Sequence, residues 1–179
     1  LALNPDPARV DGVLVPFAAG EAAHQIARAF EGKARLKRLS MAKAELADGQ
    51  SLYAANDLFV GARTHVSARY RLSLDGADEQ QSSSGIIVST GAGSTGWLSS
   101  VLNGAAAVSG HAAKPLRLPW DSDELVFAVR EPFASKTSGA RLTFGRVAKG
   151  AALTLESQMP ENGVIFSAGI EADYLAVNA

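Results

Sequence analysis

Periodicity predicts a mainly β protein, a β-sandwich of many short antiparallel strands with two helices. Three observations carry that expectation. Apolar and polar residues alternate with period two over 65–74. Turn signals such as Asp75-Gly76, Lys149-Gly150 and Asn162-Gly163 recur at short spacing. Helical periodicity shows in only two segments, 20–31 and 94–108.

In chain order, residues 1–19 read as a connector with short apolar pieces at 1–3 and 13–15, separated by the turn Asn4-Pro5-Asp6-Pro7. The first helix spans 20–31. Ala23, Ile26, Ala27 and Phe30 share one face, and Gly32 is placed to stop it. Residues 51–60 form one strand. In 65–74, Val66, Ala68, Tyr70, Leu72 and Leu74 face one way, and His65, Ser67, Arg69, Arg71 and Ser73 the other, as in a half-buried antiparallel strand. Residues 78–84 read as a polar loop. The run Ile86-Ile87-Val88 is a buried strand that breaks into a glycine turn, Gly91 to Gly96. The second helix follows, with Trp97, Leu98, Val101, Leu102 and Ala105 on one face. Residues 110–120 lack a period. Strands then recur at 125–130, 140–147, 151–157, 164–167 and 170–177, with Lys149-Gly150 and Asn162-Gly163 as hairpin turns. Two parts are expected: a connector strand and helix over 1–34, and a β-rich domain over 35–179.

Composition narrows the function classes. Seventeen Lys and Arg against eighteen Asp and Glu give a formal net charge of −1. That excludes the strong positive footprint of a nucleic-acid binder and any polybasic pull to a membrane. No cysteine is present, which removes disulfides, thiolate catalysis and cysteine-bound zinc, and suits a cytoplasmic location. No apolar run approaches the roughly 18 residues of a membrane span. The chain opens on Leu-Ala-Leu-Asn-Pro-Asp-Pro without a basic flank, and its first residue is not Met; it is expected to begin inside a longer protein. His24, His65 and His111 have no metal-ligand spacing.

Two segments carry candidate chemistry. Gly91-Ala92-Gly93-Ser94-Thr95-Gly96 fits Gly-x-Gly-x-x-Gly between a strand and a helix. The dinucleotide fold that uses this fingerprint needs a second parallel strand ending in an acid about 20 residues on; 112–120 holds two prolines and no acid. A nucleophile elbow at Ser94 fails too, because its acid and His would have to follow in order, and no Asp or Glu lies between Ser94 and His111. Ser94 and Thr95 also suit helix capping, which leaves N–H groups at the helix start for a ligand. The second segment is Asn56-Asp57, two polar residues that interrupt both faces of the 51–60 strand. Burying them costs roughly 1–3 kcal/mol each unless they are hydrogen-bonded. They serve a local network, a sheet edge, or a grip on a ligand's hydroxyls or base edges. Arg63, Arg69 and Arg71 read as a solvated face, and the loop from Arg130 to Gly139 as exposed, with cations and hydroxyls that suit phosphate.

Together these segments resemble the C-terminal domain of the NAD kinase (ATP-NAD kinase) family, as a divergent branch. Leu52-Tyr53-Ala54-Ala55-Asn56-Asp57 resembles that family's Asn-Glu motif. The stretch from Val88 through Ser89, Thr90, Gly91, Ala92, Gly93, Ser94, Thr95 and Gly96 to Trp97 is similar to its Ser-Thr-Pro-Thr-Gly-Ser-Thr-Ala-Tyr motif. Leu1-Ala2-Leu3-Asn4 resembles the strand after the family's first glycine-rich loop, which makes residues 1–34 the remnant of an N-terminal α/β domain. The resemblance implies a cytoplasmic, homo-oligomeric two-domain transferase that moves the γ-phosphate of ATP, with Mg2+, to the adenosine ribose 2′-hydroxyl of NAD, giving NADP. It implies that Asn56 contacts the dinucleotide and Asp57 takes the motif's Glu place. It further implies that Ser89, Thr90, Gly93, Ser94, Thr95 and Gly96 line the adenine and ribose pocket, and that Trp97 takes the aromatic's place against a base. Three departures stand out: Asp for Glu at 57, Gly91-Ala92 for Pro-Thr, and Ser84 where the family carries an acid. The family's Gly-Gly-Asp-Gly loop, which binds ATP phosphates and supplies the acid acting on the ribose hydroxyl, is absent from this sequence and expected upstream of Leu1. No catalytic residue is therefore assigned within 1–179. A nucleotide-binding or assembly module without catalysis, or a kinase of the same fold acting on a sugar or lipid, are the alternatives.

Overall fold

The computed structural model describes residues 1–112, 114–167 and 174–179. The chain forms two compact units, Leu1–Arg38 and Leu39–Ala179.

In the first unit, β1 (Leu3–Asn4) pairs in parallel with β2 (Phe17–Ala18). The Asn4 side chain fixes the turn between them: its amide donates to Val10 O (2.8 Å) and its Oδ1 accepts the Asp6 N–H (3.0 Å). After a 3-10 turn over Ala19–Glu21 comes α1 (Ala22–Phe30), anchored where Glu21 accepts the Ala18 N–H (2.9 Å). The expected helix is present. Its apolar face is not inward, however: none of its residues is buried, and Phe30 is 90% exposed.

The second unit holds β3 (Ala42–Glu45), β4 (Ser51–Ala54), β5 (Asp57–Ala62), β6 (Ala68–Leu74), β7 (Ala77–Ser83), β8 (Ile86–Ser89), α2 (Trp97–Ser109), β9 (Glu124–Val129), β10 (Phe144–Ala148), β11 (Thr154–Ser157), β12 (Gly163–Ser167) and β13 (Tyr174–Ala176). Six strands form one antiparallel sheet in the order β10-β9-β8-β5-β12-β13, three form β11-β6-β7, and β3-β4 is a separate hairpin. The six-stranded sheet has two apolar faces. Ile86, Phe127, Val129 and Val147 pack against Ala68, Tyr70, Leu72 and Leu74 of the three-stranded sheet, while Leu58, Val60 and Ile165 meet Ala42, Leu52 and Ala54 of the hairpin. The opposite face carries Phe59, Ile87, Val126, Ala128 and Val164 and is covered by Trp97, Leu98, Val101 and Leu102 of α2. Period-two alternation sends successive residues of β5, β8 and β9 to these two sides. The mainly β sandwich is the fold the sequence predicts.

Several local expectations are corrected. Residues 78–84 are not a loop: β7 pairs with β6 from Leu74↔Ala77 to Ala68↔Ser83. Its inward residues Glu79, Gln81 and Ser83 are polar and hydrogen-bonded in place, although Gln81 Oε1 is left without a partner. Glu79 accepts the Arg141 and Leu142 N–H groups (3.0 and 2.9 Å), Gln81 donates to Leu142 O (2.9 Å), and Ser83 bonds Tyr70 Oη (2.6 Å). Hydrogen bonds replace apolar burial, so hydropathy misses the strand. The single strand expected over 51–60 breaks at Ala55-Asn56 into β4 and β5. Lys149-Gly150 and Asn162-Gly163 turn the chain, with Gly150 and Asn162 at positive φ, but make no hairpins: β10, β11 and β12 pair with β9, β6 and β5. Turn chemistry sets a bend, not the partner. Asp75-Gly76, read from the sequence as a turn signal, closes a β6–β7 hairpin that was not expected. Val66 lies outside β6 and is exposed. Of the strand expected over 170–177, residues 170–173 lie outside the described residues.

Candidate functional site

Asn56 and Asp57 sit where β4 ends and β5 begins, and β8 runs beside β5 with Asp57 opposite Ser89. The register carries β8 past that pair directly into the glycine turn. Backbone bonds then tie the two segments. The Thr90 N–H donates to Asn56 O (2.9 Å), and Thr90 Oγ1 donates to Ala55 O (2.6 Å) while accepting the Gly93 N–H (3.1 Å). Ser94 Oγ donates to Gly91 O (2.7 Å) and accepts the Leu118 N–H (3.2 Å). Ser89, Thr90 and Ser94 are all fully buried, so these hydroxyls shape the turn.

The turn is a 3-10 segment over Gly93–Thr95 that leads through Gly96 into α2. Its closeness to Asp57 requires glycine at 93: a Cβ there would fall 2.7 Å from Asp57 Oδ1 and collide with Asn56 O. Neither Ser94 nor Thr95 caps α2. Gly96 is the N-cap and brings no side chain, which corrects the capping expectation; Ser94 is committed to Gly91 and Leu118 instead. The helix therefore begins with uncapped N–H groups.

Asp57 is 3% exposed, and its Oδ1 has no hydrogen-bond partner. Burial pushes its carboxyl up to about 6, with a hydrogen bond from Ser89 pulling the other way. A buried acceptor left unmade is costly, about 1–3 kcal/mol. Here it offers an acceptor for a ligand's hydroxyl or N–H beside a turn of backbone.

Trp97 links this turn to a cavity of about 630 Å³ lined also by Phe59, Phe166, Arg63, Ser84 and Arg130. One wall is an aromatic cluster, with the Phe59 ring 5.6 Å from Trp97 in a near-parallel stack and 4.9 Å from Phe166. Phe59 fits because Gly61 and Gly85 flank it: a Cβ on either would come within 2.6 Å of its ring.

The structure thus brings together all nine residues singled out in the sequence. Asn56, Asp57, Ser89, Thr90, Gly93, Ser94, Thr95, Gly96 and Trp97 occupy one junction of β5, β8 and α2. Thr95 and Gly96 are exposed, and Asn56 and Trp97 are half-buried. Sequence reasoning missed the cavity roles of Phe59, Phe166 and Arg63. Phe59 looked like ordinary strand apolarity, and the one usable signal was its position between two glycines on paired strands. Among the described residues no group of three or more His, Asp or Glu is arranged to hold a metal ion, so no Mg2+ position is assigned. No helix is long and apolar enough to cross a membrane among them.

No family model matches the sequence, and no curated protein matches it. Solved structures do resemble the fold. A yeast NADH kinase complexed with NADH superposes with a TM-score of 0.62 at 14% identity, over 93% of this chain and 46% of that one. An NAD kinase from Archaeoglobus fulgidus in complex with ATP gives 0.62 at 16% identity, over 93% of this chain and 58% of that one. The chain spans about half the length of these structures and has an NAD kinase-like fold.

Proposed function

We propose that the β-rich unit is the substrate-binding domain of an NAD kinase-like phosphotransferase. The intact enzyme transfers the γ-phosphate of ATP to the adenosine ribose 2′-hydroxyl of NAD, giving NADP. The observation that carries this reading is the orphaned Asp57 Oδ1, held beside the Gly93–Gly96 turn by the Thr90–Asn56 bond. In this reading Asp57 accepts a ribose hydroxyl. Asn56 contacts the dinucleotide, and the backbone at Gly93, Thr95 and Gly96 lies against the adenosine. Trp97 flanks the base. Ser89, Thr90 and Ser94 act as positioning residues that hold the turn. Phosphoryl transfer depends on positioning and charge stabilisation around the phosphates. The residues for that step belong to the Gly-Gly-Asp-Gly loop of the resemblance, which this sequence lacks, so no chemical step is assigned to the present residues. The relatedness of the solved structures in fold supports the reading, since the yeast neighbour holds NADH and the archaeal one ATP.

The test is calorimetric titration of the full-length protein with NAD and NADP, alongside an assay for NADP formation from NAD and ATP. Binding is expected, with Asp57→Ala and Asn56→Ala each weakening it at least tenfold. A ligand at one hundred times its Kd also raises stability by about 2.7 kcal/mol. Absence of any NAD or NADP binding at millimolar concentration would defeat the proposal.

A further inference from the structure

The cavity next to Trp97 has a charge character of its own. Although the whole chain holds slightly more acids than bases, none of the cavity's lining residues is Asp or Glu, while Arg63 and Arg130 both line it. Each guanidinium is braced on an aromatic face. Arg63 lies 4.9 Å from the Tyr174 ring centroid and donates to its Oη (3.1 Å), and Arg130 lies 5.6 Å from the Trp97 centroid. Arg63 has no carboxylate partner among the described residues, and the one near Arg130, Glu131, stands off at 3.7 Å and is itself 66% exposed. A guanidinium stacked on a ring is pre-oriented, so less freedom is lost when it binds, and most of its planar donor fork stays unspent. Hydroxyls of Ser67 and Ser84 line the same space. Two oriented guanidinium forks, Arg63 without a carboxylate partner among the described residues and Arg130 with only a long, exposed ion pair to Glu131, together with hydroxyl donors in one cavity, match the oxygens of a phosphoryl group.

We infer that this cavity is a phosphate subsite, where Arg63 and Arg130 hold a phosphate of the nucleotide seated at the Asn56–Asp57 turn. The inference rests on the proposed function for the nucleotide, and on the two arginines alone for the phosphate. Ser84 fits it: the resemblance puts an acid at that position, and a carboxylate there would oppose an anion.

Calorimetry on the full-length protein tests it with four probes: adenosine, ADP, NAD and inorganic pyrophosphate. ADP is expected to bind at least tenfold tighter than adenosine. Arg63→Gln and Arg130→Gln should each remove about tenfold of ADP affinity, leave adenosine unchanged and flatten the salt dependence of ADP binding. Pyrophosphate should compete with ADP. Thermal melts of the two variants confirm folding, since neither arginine is buried. Equal affinity for adenosine and ADP, or ADP affinity retained in both variants, overturns the subsite. So does pyrophosphate binding that leaves ADP in place. The two proposals fail separately. NAD binding that needs Asn56 but ignores both arginines ends the subsite alone. Arginine-dependent ADP binding without any NAD binding ends the NAD assignment alone.

Discussion

Asp57 is the residue on which site and stability meet. The unfolded chain has the ordinary carboxyl value, 3.8, and the folded chain one of about 6. Between those values the folded state holds the proton more tightly, so stability falls as pH rises from about 4 to 6 and stays at its lower level above. One pKa unit corresponds to about 1.4 kcal/mol, and after an allowance for solvent screening the loss is roughly 1–3 kcal/mol. Asp57→Asn removes the titration. Urea denaturation from pH 4 to 8 should show the variant gaining on the wild type by that amount across the window, with no further gain beyond pH 7. A constant difference across the series would contradict the buried-carboxyl picture. Gly93 makes a second prediction at this scale. Gly93→Ala drives a methyl into Asn56 O and Asp57 Oδ1, and overpacking of this kind costs typically 1–3 kcal/mol. Chemical denaturation should show that loss, while Gly104→Ala, on α2 with open space around it, should be neutral or stabilising. The sequence made Asp57 visible as a polar residue in an apolar row. That its Oδ1 lacks a partner was not legible, because it depends on which backbone approaches from β8.

Among the elements, β5 and β8 set the site's geometry through one aromatic ring. Gly61 lies on β5 and Gly85 just before β8, and both leave space for Phe59. Gly85 also adopts φ +102, which L side chains avoid, so a substitution there mixes strain with crowding. Gly61 isolates the crowding: Gly61→Ala should cost about 1–3 kcal/mol in the wild type and clearly less on a Phe59→Leu background. A double-mutant cycle in urea measures the coupling, and strict additivity would show that the ring and the glycine do not meet. This pairing also explains which elements the sequence revealed. β6 was plain from its alternation, since Tyr70, Leu72 and Leu74 face a core. β7 was hidden because its inward Glu79, Gln81 and Ser83 are kept by hydrogen bonds. The break between β4 and β5 was hidden as well, since Asn56 and Asp57 interrupt an apolar pattern in the same way whether the strand continues or bends.

Across the whole β-rich unit, one sheet supplies two cores, and this is the level at which the sequence was most and least informative. Many short strands with frequent turns specified a sandwich, because few other arrangements bury so many half-apolar strands. Partner choice stayed out of reach, since β11 joins β6 and β12 joins β5 across long stretches of chain. Phe127 tests whether the two cores behave as one. It is fully buried between Tyr70, Leu72 and Val129, and across the strand pair it faces Gly145, which has no side chain to refill the space. Phe127→Ala should therefore cost about 3–5 kcal/mol, a large part of the 5–15 kcal/mol typical of a domain. Trp97, the first residue of α2, reports from the opposite face of the same sheet. With Trp120→Phe as the background, its fluorescence follows that face alone, while far-UV circular dichroism follows the strands. Alternate residues of β9 serve both faces, Phe127 and Val129 on one, Val126 and Ala128 on the other. Losing the first set removes the support of the second, so both signals should shift to a lower urea midpoint together. A Trp97 transition that stayed in place while the dichroism moved would mean that the layer covered by α2 folds independently of the sandwich. The site would then owe its geometry to α2 and the glycine turn alone.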